Sequence, residues 1–224
     1  MTEPQPTPAP SAAFSIGEAV GYGWKGFWAN IGPLALVFVI VLVINLLFNL
    51  VGAAVDSGIG RLVIAILNYV VSLLIGLAWI RAGLAVTAGR RPEMSELFQV
   101  DERFGTYLVA TILYTIMMVI GFVLLIIPGI IVVLVFGLYG WTIADRGLGV
   151  VESLSRSAEI TRGHRLELFG LGVVLILINI VGLLCLIVGV VFTMGISLVT
   201  LAYTYRVLSG EPVAPQGGGA AQAV

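Results

Sequence analysis

The chain has 224 residues, 59% of them hydrophobic and 10% charged. Soluble domains are roughly 45–50% apolar and about 25% charged. This chain therefore has too few charges to cover a water-facing surface, and its mean hydropathy of +1.11 points to hydrocarbon as its solvent. A net charge of −1 supplies no field that would gather nucleic acid, and one cysteine and one histidine exclude an internal disulfide and any metal site built from several such ligands.

The first thirteen residues are rich in Pro, Ala and Thr and read as an extended, disordered tail. They are no signal peptide, because proline stands where a basic region belongs. Residues 211–224 read as a second tail, and residues 14–210 as one membrane domain. Six apolar stretches follow, at about 31–55, 59–83, 104–127, 128–145, 166–186 and 188–208. A crossing takes roughly 20 residues at 1.5 Å each. The third and fourth stretches form one run broken only at Pro128–Gly129, and the run from Leu168 to Tyr205 carries no charge. Each is long enough for two crossings, so each reads as a tight hairpin. The fourth stretch is short enough to be re-entrant instead. The expected class is an all-α integral membrane protein with about six transmembrane helices in three hairpins.

Charge placement sets the orientation. Ten of the eleven basic residues fall before span one, between spans two and three, between four and five, or at the end of six. Only Arg61, near Asp56 in sequence, falls on the other side. The positive-inside rule makes the charge-rich side, with both termini, cytoplasmic. The segments on that side are more than loops. Ser15–Asn30 carries Trp24, Phe27 and Trp28 beside Lys25, and these rings should lie at headgroup depth. Glu93–Arg103 sets Leu97 and Phe98 among acids. Val150–Arg162 spaces Val151, Leu154 and Ala158 as an amphipathic helix. Each such segment either lies at the interface or packs on protein before feeding a hairpin.

A parallel repeat emerges: amphipathic segment, span, turn, span. WKGFWANI at 24–31 sits like TRGHRLEL at 161–168, and LAWIR at 77–81 resembles LAYTYR at 201–206. The middle unit fits weakly. Inverted repeats mark many transporters, though parallel ones also occur in them.

Few residues suggest chemistry. Gly21-Tyr22-Gly23-Trp24-Lys25-Gly26 matches G-x-G-x-x-G, but the preceding strand that a dinucleotide site needs is missing. No acid or base lies near the centre of a span, which argues against a proton-coupled pump. Asn45 with Asn49, and Asn68 with Ser72, each share a helix face. With Asn179 they are either interhelical contacts or a polar path for a solute. Lys25, Arg162, His164 and Arg165 form a basic collar before spans one and five. They either contact anionic lipid headgroups or an acidic partner, or simply fix orientation. No nucleophile–base pair is visible. The expectation is a non-enzymatic protein without catalytic residues, cofactor or metal. Its partners would be membrane lipids, a membrane-protein partner or further copies of itself, and not nucleic acid.

Five quoted stretches resemble a known group. They are Leu125-Ile126-Ile127-Pro128-Gly129-Ile130, Ala144-Asp145-Arg146-Gly147, Val151 to Ser157, Thr161-Arg162-Gly163-His164-Arg165, and Ala202-Tyr203-Thr204-Tyr205-Arg206 with Gly210. They resemble bacterial multi-span proteins that include the membrane domain attached to some glycerophosphoryl diester phosphodiesterases, and YciC-like inner-membrane proteins. The resemblance covers roughly residues 15–210. It implies a bacterial cytoplasmic-membrane protein. In fused members catalysis belongs to a separate soluble barrel, so no catalytic residue carries over. The function expected is a scaffold, an envelope-homeostasis factor or an accessory subunit. The alternative is a transporter or channel for a small or amphiphilic solute.

Overall fold

The computed structural model describes residues 14–215, and the side chains of 186–188 fall outside the description. Among the described residues all regular structure is helical. The helices are α1 Ile16–Ala29, α2 Ile31–Ala54, α3 Gly58–Thr87, α4 Met94–Leu97, α5 Glu102–Leu124, α6 Ile126–Phe136, α7 Tyr139–Arg146, α8 Val150–Ile160, α9 Arg165–Leu184 and α10 Leu186–Ser209. Six segments are long and apolar enough to cross a membrane, with α6 and α7 together forming the fourth. The protein is thus an all-α, multi-span membrane protein of three hairpins: α2–α3, α5–α6/α7 and α9–α10.

Local chemistry sets the boundaries. Ser57 caps α3, its Oγ accepting from the Gly60 amide at 3.1 Å in the usual N-cap manner. Gly147 and Gly210 close α7 and α10 with φ of +64° and +71°, a conformation that a Cβ disfavours. The sequence places the turn of the second hairpin at Pro128–Gly129. It lies instead at Leu125, extended at φ −170° and ψ 157°. Pro128 is the third residue of α6, where the missing N–H would have no intrahelical partner anyway. Gly129 lets the legs close: a methyl group there would come within 2.6 Å of the Phe122 ring.

The three amphipathic segments are helical, but none packs chiefly on the hairpin it feeds. α1 runs along α10 and touches α9; α4 sits on α3; α8 sits on α5, α6 and α7. Each thus packs on the hairpin that precedes its own, with α1 closing the circle onto the last. Gly23 permits the α1–α10 contact, since a methyl group there would collide with Thr200 Oγ1 and lie 2.8 Å from the Ile196 carbonyl. Phe27 is buried, its ring 5.5 Å from that of Phe192. Phe27 thus packs on protein, whereas Trp24 and Trp28 are exposed.

α8 also departs from its sequence pattern. Val151 is exposed, and the buried face is Ser153, Leu154, Ser157 and Ile160, followed by Thr161. The reason is the break between α6 and α7, which frees the buried Val135 carbonyl. Ser157 Oγ and Thr161 Oγ1 donate to that carbonyl at 2.9 and 3.3 Å, and the Leu138 amide donates to Ser157 Oγ at 3.1 Å. A buried backbone group needs such a partner, so hydroxyls outrank apolar groups on this face.

The core gathers in the charge-rich half. Ala78 and Ala82 of α3, Trp141 and Ile143 of α7, and Val199, Ala202 and Tyr205 of α10 form its centre. A methyl group at Gly83 would lie 3.0 Å from Ala202 Cβ and 3.2 Å from Leu198 Cδ1, so α3 and α10 are in close parallel contact there. Between Val37 and Leu73 no residue is buried. The far arm of hairpin α2–α3 therefore has no cover from the rest of the described chain. Register from the Gly83 contact leaves the α9–α10 turn short of the α2–α3 turn by on the order of 15 Å.

Candidate functional site

The return legs α3, α7 and α10 end together at the charge-rich face, and their end residues build a polar cleft of about 350 Å³. Its wall is assembled from both sides of α3. Arg81 donates from one guanidinium nitrogen to the Gln99 carbonyl at 2.6 Å and from the other to Asp101 Oδ1 at 2.8 Å. This ties the α4–α5 link to α3. Arg103 donates to the Ala144 carbonyl at 2.6 Å, filling an acceptor that the end of α7 leaves open. Arg206 donates to Thr87 Oγ1 at 2.9 Å and to Glu211 Oε2 at 3.3 Å. Tyr205 Oη donates to Asp145 Oδ2 at 3.0 Å. Arg146 reaches Glu211 Oε1 at 2.8 Å.

The chain after α10 is tied to the helix ends beside this cleft. Besides Glu211, the Ala214 amide donates to the Thr87 carbonyl at 2.9 Å, and Tyr22 Oη donates to the Ala214 carbonyl at 2.9 Å. The expectation of a free tail from 211 is thus corrected for 211–215: Glu211 is held between two arginines. Residues 216–224 and 1–13, expected as tails, lie outside the described residues.

The basic collar is divided. Lys25 is exposed on α1; Arg162 and Arg165 are exposed at the α8–α9 link; His164 there is half-buried. The structure brings Arg162, His164 and Arg165 together by chain proximity, with Lys25 on a separate helix. Among the described residues none of these four side chains has a hydrogen bond or ion pair, and neither does Arg91, which is also exposed. Arg81, Arg103, Arg146 and Arg206 are by contrast all engaged by protein acceptors. The isolated Arg61 bonds to the Val55 carbonyl at 2.9 Å rather than to nearby Asp56.

The asparagines also separate. Asn179 bridges α9 and α10, donating to the Leu175 carbonyl and to Ser197 Oγ, both at 2.8 Å. Asn45 and Asn49 are exposed, and each donates back along its own helix, to the carbonyls of Val41 and Asn45. Ser72 Oγ donates to Asn68 Oδ1 at 3.2 Å. These four therefore make no interhelical hydrogen bond within the described chain, unlike Asn179. None of the four lines the groove formed by Leu175, Asn179 and Ser197. The G-x-G-x-x-G stretch lies within α1, so no strand–turn–helix cradle for phosphate forms there.

Sequence reasoning counted Arg81, Arg103 and Arg206 only as topology markers and gave Asp101 and Asp145 no place in a site. The signal for their role was the match of LAWIR with LAYTYR, because Arg81 and Arg206 each clamp the chain that follows their helix. Thr87 and Glu211 carried no signal. Asp145, Ser153, Ser157, Thr161, Tyr205 and Arg206 are the polar staples of this half of the fold.

No curated protein and no solved structure matches the chain. A family described as a domain of unknown function, DUF7847, matches residues 29–217. That range takes in all six spans, the cleft and the segment that Glu211 pins, and the chain belongs to the DUF7847 family.

Proposed function

We propose that this is a non-enzymatic membrane protein whose charge-rich face, turned to the cytosol, contacts anionic lipid headgroups and through them serves as a scaffold or accessory subunit. The observation that carries this reading is the division of the basic residues. The arginines of the cleft spend their donors on the protein. Among the described residues Lys25, Arg91, Arg162 and Arg165 have no such partner, which leaves their donors open to a ligand. A Lys or Arg near an anionic membrane surface is worth about 1 kcal/mol. Exposed Trp24 and Trp28 flank Lys25 on α1 and suit the same interface. Both termini are cytosolic in this reading. A bacterial inner membrane is proposed on the resemblance alone.

The test is charge-preserving substitution. Arg162→Lys and Arg165→Lys keep the charge but lose the planar fork that grips phosphate in two places. Retention of anionic lipid by the purified protein, read by native mass spectrometry, should fall while membrane insertion stays normal. Equal retention would reduce these residues to topology signals. The transport alternative draws less support, since Asn45, Asn49 and Asn68 hydrogen-bond within their own helices.

A further inference from the structure

We propose that hairpin α2–α3 is a self-association surface, where a second copy of this chain pairs with a polar layer at the centre of the bilayer. The depth of that layer follows from α3. Arg61 and Arg81 are twenty residues apart on this one helix, a rise of about 30 Å, which equals the hydrocarbon thickness of about 30 Å. Asn68 and Ser72 lie near the middle of that interval. The Gly52–Ile64 contact sets the register of the two legs. It brings Asn49 level with Asn68, and Asn45 level with Ser72, within a residue. Four polar side chains thus occupy one layer about 6 Å tall.

At that depth water cannot satisfy them, and an unmet polar group in hydrocarbon is costly. A carboxamide has two N–H donors and an acceptor oxygen. Asn45 and Asn49 each use one N–H on their own helix, and their Oδ1 atoms accept nothing from the described residues. Asn68 is the converse: its Oδ1 accepts from Ser72, while its Nδ2 donates to nothing described. The acceptors α2 leaves open and the donors α3 leaves open are complementary. A second copy related by a two-fold axis supplies both at once, since an isologous interface sets the same patch against itself. The surrounding surface is bare over the same stretch: Leu42, Leu46, Ile66 and Tyr69 are all exposed, and no residue between Val37 and Leu73 is buried.

The experiment uses the purified full chain in phosphatidylcholine vesicles. A single dye on Cys185, the only cysteine, counts copies by stepwise photobleaching over a range of protein-to-lipid ratios. Dimers are expected. Asn45→Leu with Asn49→Leu should weaken dimerisation by about tenfold, as loss of two or more interhelical bonds implies, and Asn68→Leu should do the same. Asn179→Leu breaks a bond inside hairpin α9–α10 and should leave dimerisation unchanged. A measurement independent of these variants uses a Cys185→Ala background: Asn49→Cys should cross-link to its counterpart, and Ile176→Cys on α9 should not. Three results would overturn the proposal: a chain that stays monomeric in lipid alone at every density, whatever it binds in its native membrane; dimers that the leucine variants leave intact; or cross-linking at Ile176→Cys in place of Asn49→Cys.

Discussion

Arg206 on α10 donates through Nε to Thr87 Oγ1 on α3 at 2.9 Å, across 119 residues of sequence. The same guanidinium lies 3.3 Å from Glu211 and 3.9 Å from Asp145. One side chain therefore joins the ends of two return legs, and through Asp145 the third, to the segment that leaves the membrane domain.

Arg206→Leu should lower stability by about 2–3 kcal/mol, the range for losing hydrogen bonds to a charged group. It leaves Asp145 and Glu211, each largely shielded, without their shared cation. Arg206→Leu combined with Asp145→Leu should recover part of the loss, because replacing both partners avoids a stranded charge. Thermal unfolding in detergent reads both. A loss below about 0.5 kcal/mol would mean the site behaves as an ordinary surface pair.

Ser157→Ala should cost about 1–3 kcal/mol, because the Leu138 amide loses its acceptor and the Val135 carbonyl one of two donors. Ser155→Ala on the exposed side of the same helix should be near neutral. Equal effects would show that α8 is held by something other than its hydroxyls.

Gly23→Ala should loosen α1 from α10 by about 1–3 kcal/mol, the usual cost of overpacking, since its methyl group meets Thr200 and the Ile196 carbonyl. Gly21→Ala, with open space around the site, is the control. Earlier proteolysis of the α1 segment in the Gly23 variant is the expected readout; identical digestion of the two would contradict the packing.

The number and limits of the spans were legible in sequence because apolar run length against bilayer thickness is a local quantity. The sidedness of the charges was legible for the same reason. Which hairpin receives each amphipathic helix was not, since that choice rests on close approaches such as Gly23 to Thr200, distant in sequence. α8 misled the periodicity argument: its buried face answers to a free carbonyl in another helix, so Ser157 goes in and Val151 stays out. Pro128 suggested a turn, but a proline in the first turn of a helix loses nothing, and the turn came three residues earlier. Glu211 looked like part of a polar tail; only the arrival of Arg146 and Arg206 at one point gives it a place.

The unequal reach of the hairpins is open to direct chemistry. An exposed Cys185 marks the α9–α10 turn, and Asp56→Cys in a Cys185→Ala background marks the α2–α3 turn. A membrane-impermeant maleimide applied to the non-cytosolic side should label Asp56→Cys faster than Cys185. Equal rates would place both turns at the same surface.

The proposed placement of the charge-rich face in the cytosol underlies the lipid contacts, and cysteine accessibility in intact cells tests it most directly. With Cys185→Ala as background, Ser95→Cys and Ser155→Cys occupy exposed positions on α4 and α8. Both should resist the impermeant reagent until the membrane is permeabilised, while Asp56→Cys reacts at once. Immediate labelling of Ser95→Cys or Ser155→Cys, with Asp56→Cys protected, would invert the protein in the membrane and contradict the account.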